Sequence, residues 1–139
     1  MSKRMNPEIK SKWLAALRSG EYEQARGSLH RIMHTADFKD KIDCGFCCLG
    51  VLCDIAARED VCWWLDGEAV TVDPMGKTLF DNEVLPRKVA EWAGLDDLNP
   101  VVPFDVDDDE DRERKRLSEL NDEYRFDFER IANIIEEHL

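Results

Sequence analysis

Apolar residues recur at helical spacing in three long stretches of the chain. The first stretch follows Asn6 and Pro7, which suit the N-cap and the first position of a helix, and it ends at Gly20. The second stretch is FCCLGVLCDIAARE, and the third follows Asp127, a predicted N-cap. We expect three helices, whose buried faces are formed by Ile9, Trp13, Leu14 and Leu17, then by Cys48, Leu52, Ile55 and Ala56, and then by Phe128, Ile131, Ile134 and Ile135.

Shorter patterns predict the remaining elements. Two β-prone runs, VCWWL and EAVTV, flank Asp66-Gly67, a residue pair typical of a tight hairpin turn. LPRKVAEWAGL predicts a short helix that ends at Gly94, and NPVVPF predicts an edge strand because its prolines cannot donate to a central ladder. We also expect an extended stretch from Leu29 to Met33, a surface loop from Thr35 to Asp43 and a helix from Arg112 to Leu120.

Together these elements predict an α+β domain in which about five helices pack on a small antiparallel sheet containing the Asp66-Gly67 hairpin. The length of 139 residues suits a single globular domain spanning 1–139, and 43% apolar residues suffice for a core. No apolar run approaches the roughly 20 residues of a membrane span. The N-terminal residues MSKRMNPEIK lack the apolar segment of a secretory signal, so we expect an intracellular protein.

The net charge of −12 is unevenly distributed along the chain. Residues 1–42 carry nine basic and five acidic residues, a net of +4, whereas residues 43–139 carry ten basic and 26 acidic residues, a net of −16. Much of this acidity lies in DVDDDEDRERKR, residues 105–116, which we expect to form an acidic surface loop near 105–111. Such a charge repels nucleic acids and membrane phosphates, and it favours basic partners.

The cysteines leave a metal site open as one interpretation. Five cysteines without a secretory signal indicate reduced thiols rather than a disulfide framework. Cys44 and Cys47, together with His30 and His34, would supply the four ligands of tetrahedral zinc. The histidine pair precedes the cysteine pair, however, which is the reverse of a zinc finger. We therefore expect packed core cysteines and no metal, with zinc as the alternative.

A nucleophilic cysteine is a second interpretation of the same segment. CGFCC, residues 44–48, resembles the segment around the nucleophile of papain-type proteases, and a cysteine at a helix start has a lowered pKa. The mechanism needs a histidine base, but the only histidine after Cys47 is His138, the penultimate residue. We therefore expect no catalytic residues, no enzymatic activity and no cofactor. The role of Cys47 and Cys48 beyond packing stays open.

The acidic run also has the alternation of a calcium-binding loop. The early ligands would come from alternate aspartates, but Glu110 replaces the glycine required at position six and Arg116 replaces the closing glutamate. We therefore expect a solvated acidic loop without calcium. The alternating aspartates are Asp105, Asp107, Asp109 and Asp111.

The loop after the first helix has the parts of a small anion-binding site. Tyr22 offers an aromatic face, Gln24 an amide, Arg26 a guanidinium and Gly27 room for close backbone approach. The alternative is a plain turn in which Tyr22 packs on the first helix and Arg26 pairs with a neighbouring glutamate. Further positive charge near this loop would come from Lys12, Arg18 and Arg31.

Four segments in order resemble a widespread family of small, mostly uncharacterised proteins from tailed phages and prophages. They are KWLAALRSGEYEQARGSL, FCCLGVLCDIA, LPRKVAEWAGL and LSELNDEYRFDFERIANIIEEHL, and FCCLGVLCD is the most specific. The resemblance covers residues 6–34, 46–56, 85–102 and 117–139. The chain departs from the family pattern at Ala25, which replaces a glycine, and in NDEYRF, which lacks the glycine common before the last helix.

The resemblance implies a phage origin, and therefore the cytoplasm of a bacterial host. We expect a non-catalytic binding protein that counteracts host antiphage defence by sequestering a nucleotide signal molecule. Its ligand site would combine Tyr22, Gln24, Arg26 and Gly27 with the helix start at Cys47, because helix N-termini bind phosphate. A homo-oligomer would enclose the ligand.

Two alternatives stay open. In the first, the protein is an acidic inhibitor that imitates DNA and blocks a basic, nucleic-acid-binding defence effector such as a CRISPR nuclease. In the second, it is a structural or accessory subunit of the phage. The interaction residues of the DNA-mimic alternative would be Asp105, Asp107, Asp108, Asp109 and Asp111, joined by Asp96 and Asp97.

Overall fold

The computed structural model describes residues 5–34, 36–37, 41–104 and 113–139. Within these ranges the α+β class is confirmed. The helices are α1 (Pro7–Arg18), α2 (Cys48–Arg58), α3 (Arg87–Ala93), α4 (Leu117–Asp122) and α5 (Phe128–His138). The strands are β1 (His30–His34), β2 (Lys41–Phe46), β3 (Trp63–Leu65), β4 (Glu68–Val72), β5 (Thr78–Asp81), β6 (Val101–Phe104) and β7 (Glu113–Arg116).

The strands of the described ranges pair in three small antiparallel sheets. β1 pairs with β2, β6 pairs with β7, and β4 lies between β3 and β5. The predicted hairpin turn is confirmed, since Asp66 and Gly67 connect β3 to β4 with positive φ angles of 49° and 84°. Two successive positive φ angles are typical of the turn that matches the twist of a two-residue hairpin.

Local capping fixes several helix boundaries where the sequence predicts them. The Asn6 side chain accepts hydrogen bonds from the backbone N–H groups of Glu8 and Ile9, at 2.9 and 3.3 Å. The Asp127 carboxylate accepts one from the N–H of Arg130 at 2.8 Å. Gly94 ends α3 with a φ of 77°. The predicted helix faces are buried, except that Ile134 is only partly buried.

Helix α2 forms the centre of the core. Eight of its eleven residues are buried, and Trp13 of α1 donates from its indole nitrogen to the Cys48 carbonyl at 2.9 Å. Gly50 faces the backbone of Leu29 so closely that an added Cβ would lie 1.8 Å from the Leu29 carbonyl oxygen. Because no larger residue fits there, Gly50 lets the segment before β1 pack directly on the helix.

Three strands were not predicted, and each is the second strand of an antiparallel pair whose first strand directly precedes it in the chain. The prediction of a loop from Thr35 to Asp43 was wrong where β2 begins at Lys41, because its backbone pairs with β1. The predicted helix from Arg112 was wrong where β7 precedes α4, because residues Glu113–Arg116 pair with β6. Strand β5 pairs with β4. Charged residues with helical propensity join a strand when a partner strand offers hydrogen bonds.

Replacement of Gly50 with alanine tests the close packing of α2. Gly50→Ala should lower the free energy of unfolding by about 3 kcal/mol or more, because the new methyl group collides with backbone rather than with a flexible side chain. Urea denaturation followed by circular dichroism measures the loss. Gly20→Ala is the comparison: an added Cβ there meets nothing described within 4 Å, so only the φ of 76° costs stability, and the loss should be smaller, about 1–2 kcal/mol. Equal stability of Gly50→Ala and wild type would contradict the packing.

Candidate functional site

Tyr22 belongs to a hydrogen-bonded group centred on Asp54 of α2. The Tyr22 hydroxyl donates to Asp54 Oδ2 at 2.6 Å, and the Trp64 indole nitrogen donates to Asp54 Oδ1 at 3.1 Å. Arg58 Nη2 lies 3.5 Å from Asp54 Oδ2. Burial, together with the bond to the Asp54 carboxylate, raises the pKa of Tyr22 to about 12. The phenol therefore stays protonated at neutral pH and connects the loop after α1 to the core helix.

Aromatic rings extend this group towards the strands. His30 stacks on Phe46 with ring centroids 4.2 Å apart, and the Trp64 ring meets His30 edge to face with centroids 5.1 Å apart. Tyr22 meets Phe46 edge to face at 5.3 Å. These residues stabilise the junction of α2, β1, β2 and β3, and Tyr22 thus contributes to packing as well as to hydrogen bonding.

Gln24 faces the interior and connects the loop to α4. Its side-chain nitrogen donates to Asn121 Oδ1 at 2.8 Å and to the Phe126 carbonyl at 2.7 Å. The fully buried Asn121 in turn donates to the Ala25 carbonyl at 2.8 Å. The amide that the sequence assigns to a ligand is therefore used to satisfy polar groups within the fold.

Arg26 and Gly27 lie further along the same loop and are exposed. Gly27 has a φ of 88°. Among the described residues, a Cβ added to Gly27 would meet nothing within 4 Å. The glycine therefore serves a backbone conformation rather than a close approach. Two of the predicted supporting cations are engaged in surface ion pairs, Lys12 with Glu59 and Arg18 with Glu136.

Cys47 is the N-cap of α2 and is buried. Its sulfur accepts the N–H of Gly50 at 3.4 Å, and its own N–H donates to the Leu29 carbonyl at 3.1 Å. The next amide of the helix start, that of Cys48, donates to Asn121 Oδ1 at 3.3 Å. Burial raises the pKa of the Cys47 thiol to about 12, which is the opposite of an activated nucleophile.

The structure thus separates the five residues predicted to bind a ligand. Tyr22 and Gln24 make contacts inside the fold, Cys47 is buried beneath Leu29, and Arg26 and Gly27 face solvent. Closely spaced polar residues look like a ligand site in the sequence even when their side chains bind other groups of the protein. Here Tyr22 binds Asp54 and Gln24 binds Asn121.

The candidate zinc ligands lie on β1, on β2 and at the start of α2. His30 and His34 are four residues apart on an extended strand, which separates their Cα atoms by roughly 13 Å. That distance disfavours joint binding of one zinc ion. The side chains of His34 and Cys44 lie outside those that the structure describes. No cluster of three or more histidine, cysteine, aspartate or glutamate side chains suited to a metal occurs in the described part of the chain.

The acidic run predicted as an interaction surface or calcium loop lies outside the described residues, from 105 to 112. Its neighbour Asp97 is described. Asp97 Oδ1 accepts the N–H of Asn99 at 3.0 Å and lies 3.4 Å from Arg116 Nη1. Asp97 therefore connects the chain before β6 to the end of β7, on either side of the acidic run. Asp96 and Asp97 are both exposed.

One face of the β3–β4–β5 sheet is rich in exposed apolar side chains. The register places Trp63 opposite Val70 and Val70 opposite Phe80. Val70 is 1% exposed, whereas its neighbours Trp63 and Phe80 are 48% and 52% exposed. Leu65 and Val72 lie on the same face and are also exposed. We call this surface the aromatic face and define it as Trp63, Leu65, Val70, Val72 and Phe80.

Sequence reasoning identified the hairpin but not this face. The opposite face carries Ala69 and Thr71, both fully buried, and the partly buried Trp64. The alternation in WWLDGEAVTV shows two faces, but it does not show which one meets the core. The missing signal was the third strand, β5, whose Phe80 completes the apolar row.

The segment that carries the aromatic face is acidic, although Arg87 and Lys88 of α3 lie beside Val72. Residues 59–81, which contain the whole sheet, carry six acidic residues and one lysine, a net of −5. Glu68 belongs to the aromatic face by register, since it lies opposite Leu65. We call residues 59–81 the sheet module. The acidic residues of the module are Glu59, Asp60, Asp66, Glu68, Asp73 and Asp81.

A cavity of about 660 Å³ lies between the β4–β5 hairpin and α3. Val72 and Leu79 form part of its apolar wall, and Arg87 and Lys88 supply positive charge. Arg87 Nε lies 3.4 Å from Glu91 Oε1, and both side chains are largely exposed. The remaining lining residues are Thr71, Asp73 and Pro74.

A family model of a domain of unknown function, DUF8296, matches residues 5–139. The chain belongs to the DUF8296 family. Comparison of this DUF8296 protein with the curated proteins and with the solved structures found no match in either set. Within the described ranges, no helix is both long enough and apolar enough to cross a membrane.

Replacement of Tyr22 tests the hydrogen bond to Asp54. Tyr22→Phe should lower the free energy of unfolding at pH 7 by about 1–2 kcal/mol, because the Asp54 carboxylate loses a short hydrogen bond from the Tyr22 hydroxyl. Since the pKa of Tyr22 is raised from 10.0 to about 12, its contribution is complete below pH 10 and is lost as pH rises towards 12. Urea denaturation at pH 7 and along this range measures both effects.

Tyr124→Phe is the matched control for this experiment, because the same hydroxyl is removed from a more exposed tyrosine. The difference in stability between wild type and Tyr22→Phe should shrink between pH 10 and pH 12. A difference that is absent at pH 7, or that grows at high pH, would contradict the assignment of the bond.

Proposed function

We propose that this DUF8296 protein is a non-catalytic binding protein of tailed-phage type that counteracts host antiphage defence. We propose further that it acts as an acidic inhibitor of a basic, nucleic-acid-binding defence protein in the bacterial cytoplasm. The phage assignment is supported by the four segments that resemble phage and prophage proteins. The inhibitory mode is supported by the surface of the molecule.

The aromatic face within an acidic module is the observation that carries this proposal. Exposed tryptophan and phenylalanine side chains are enriched at the centres of protein interfaces, where they contribute most of the binding energy. A module charge of −5 within a chain of −12 steers basic partners to that surface. The same charge opposes the phosphates of nucleic acids and nucleotides.

The geometry favours inhibition of a protein over the sequestration that the sequence led us to expect. A nucleotide pocket at Tyr22, Gln24 and Cys47 would have to break the bonds to Asp54, Asn121 and the Leu29 carbonyl. Each of these bonds satisfies a group that is partly or fully buried, so opening the pocket costs about 1–3 kcal/mol for every group left unsatisfied.

Sequestration of a nucleotide signal is the second candidate function, and the cavity beside α3 favours it. Arg87 and Lys88 would meet the phosphate groups, and the wall formed by Val72 and Leu79 would meet an apolar part of the ligand. The nearby carboxylates of Asp73 and Glu91 weaken this argument. The role of a phage structural or accessory subunit stays a prediction.

A plating assay separates the two candidates. Bacteria carrying one defence system each, either a type II CRISPR nuclease or a system driven by a nucleotide signal, are challenged with phage while they express the protein. The proposal predicts that plating recovers about 100-fold or more against a nuclease-based system, since the basic effector is blocked. Recovery against signal-driven systems only, or against none, would contradict it.

The double variant Arg87→Ala and Lys88→Ala is the matched control. It removes the two cations of the cavity and keeps all five residues of the aromatic face, of which Val72 borders the cavity. Protection should persist in this variant if a protein is inhibited, whereas it should be lost if the cavity binds a nucleotide.

A further inference from the structure

We propose that the aromatic face is the docking surface of the protein and that it takes an arginine-rich surface of a basic protein. This inference rests on the proposed function in one respect, namely that the partner is a protein. It differs from the DNA-mimic expectation because it places the interface on the β3–β4–β5 sheet and not on residues 105–111.

Many of the exposed apolar side chains of the described residues lie on this one sheet. Single exposed apolar side chains are normal, but adjacent ones on one side of a sheet form a patch. Trp63, Leu65, Val72 and Phe80 are four of the nine large apolar residues that are exposed in the described ranges. A fifth, Met75, lies at the tip of the β4–β5 hairpin next to the face.

Trp63 and Phe80 lie opposite Val70 on the two strands that flank β4. Neighbouring strands lie about 4.8 Å apart, so the backbones of Trp63 and Phe80 are about two strand spacings from each other across β4. Val70 is fully buried between them, and about half of each flanking side chain is open to solvent. This arrangement offers two aromatic surfaces at a spacing that one extended basic segment can span.

The net charge of the sheet module indicates which class of partner binds the aromatic face. A second copy of the chain would bring another sheet module of net −5 against the first, and like charges placed face to face disfavour association. Nucleic acids and anionic membranes are repelled for the same reason. A polypeptide surface with positive charge is attracted, because its charge is complementary to the net −5 of the sheet module.

Arginine suits the face better than lysine. Its planar guanidinium stacks on tryptophan and pairs with carboxylates through two parallel hydrogen bonds. The face offers both groups, since Trp63 is half exposed and Glu68 lies opposite Leu65 on the same side of the sheet. Lysine, with its compact and strongly hydrated ammonium group, gains less from the same surface.

Peptide binding tests the proposal with defined probes. Nonaarginine and nonalysine peptides are titrated into the full chain by isothermal calorimetry at 50 and 300 mM salt. We expect the arginine peptide to bind about threefold or more tightly than the lysine peptide. We expect the variant Trp63→Ser with Phe80→Ser to bind the arginine peptide about tenfold more weakly than wild type.

Leu98→Ser with Val101→Ser is the matched control, because both residues are 38% exposed and lie outside the aromatic face. This variant should keep the affinity of wild type. Equal affinity of wild type and the Trp63 and Phe80 double variant would overturn the proposal, and so would equal affinity for the two peptides, since both results indicate charge attraction alone. A concentration-dependent dimer that the double variant abolishes would also overturn it.

Two further measurements keep the test decisive. If the double variant fails to fold, Trp63→Leu retains an apolar cover for Val70 and should lose only the preference for arginine over lysine. The plating assay with the folded variant separates this inference from the proposed function. If the variant no longer binds the peptide but still protects, the docking-surface proposal is overturned and the inhibitor proposal is retained. If wild type binds the peptide but never protects, the inhibitor proposal is overturned and the docking-surface proposal is retained.

Discussion

The close packing of the Leu29 backbone on Gly50 of α2 is the contact on which the other contacts of the fold depend. The Leu29 carbonyl occupies the space of a Gly50 side chain and accepts the N–H of Cys47 at 3.1 Å. The Leu29 N–H donates to the Asn82 carbonyl, directly after β5, at 2.6 Å. One residue thus joins the core helix, the start of β1 and the end of the sheet module.

This contact influences which polar groups of the molecule are available to bind a ligand. Because Leu29 covers the start of α2, the first amides of that helix bind protein groups rather than a phosphate. The loop after α1 is held against Asp54 and Asn121, so its polar side chains are used within the fold. The sheet module is held at Asn82, which accepts the Leu29 N–H, and at Gly67, where an added Cβ would lie 2.7 Å from the His30 carbonyl oxygen. Trp63 and Phe80 of its outer face remain exposed. The polar groups that the sequence assigned to a ligand are thus engaged within the fold, whereas the apolar side chains of the sheet stay exposed.

Boundaries set by local chemistry were predictable from the sequence. Asn6, Asp127, Gly94 and the Asp66-Gly67 turn act through hydrogen bonds or φ angles of their own residues, and all four were predicted correctly. Strands β2, β5 and β7 each pair with the strand that precedes them, but their own residues lack a clear β pattern, so the sequence did not reveal them.

The candidate site was predictable only in part, because residue type does not indicate direction. Tyr22 and Gln24 have the chemistry of ligand-binding groups, and the fold uses that chemistry for Asp54 and Asn121. Trp63 and Trp64 are adjacent in sequence, yet one is exposed and the other contributes to the core. The alternation of strand residues requires this difference, but only the position of α2 decides which residue faces inward.

Photo-crosslinking from the aromatic face tests the central claim most directly. A photoreactive residue replaces Trp63 in one variant and Leu98 in another, and each is irradiated in bacteria whose defence the protein blocks. The account predicts an adduct from position 63, and none from position 98, with a nucleic-acid-binding protein of net positive charge. An adduct with a second copy of the chain, or equal adducts from both positions, would contradict it.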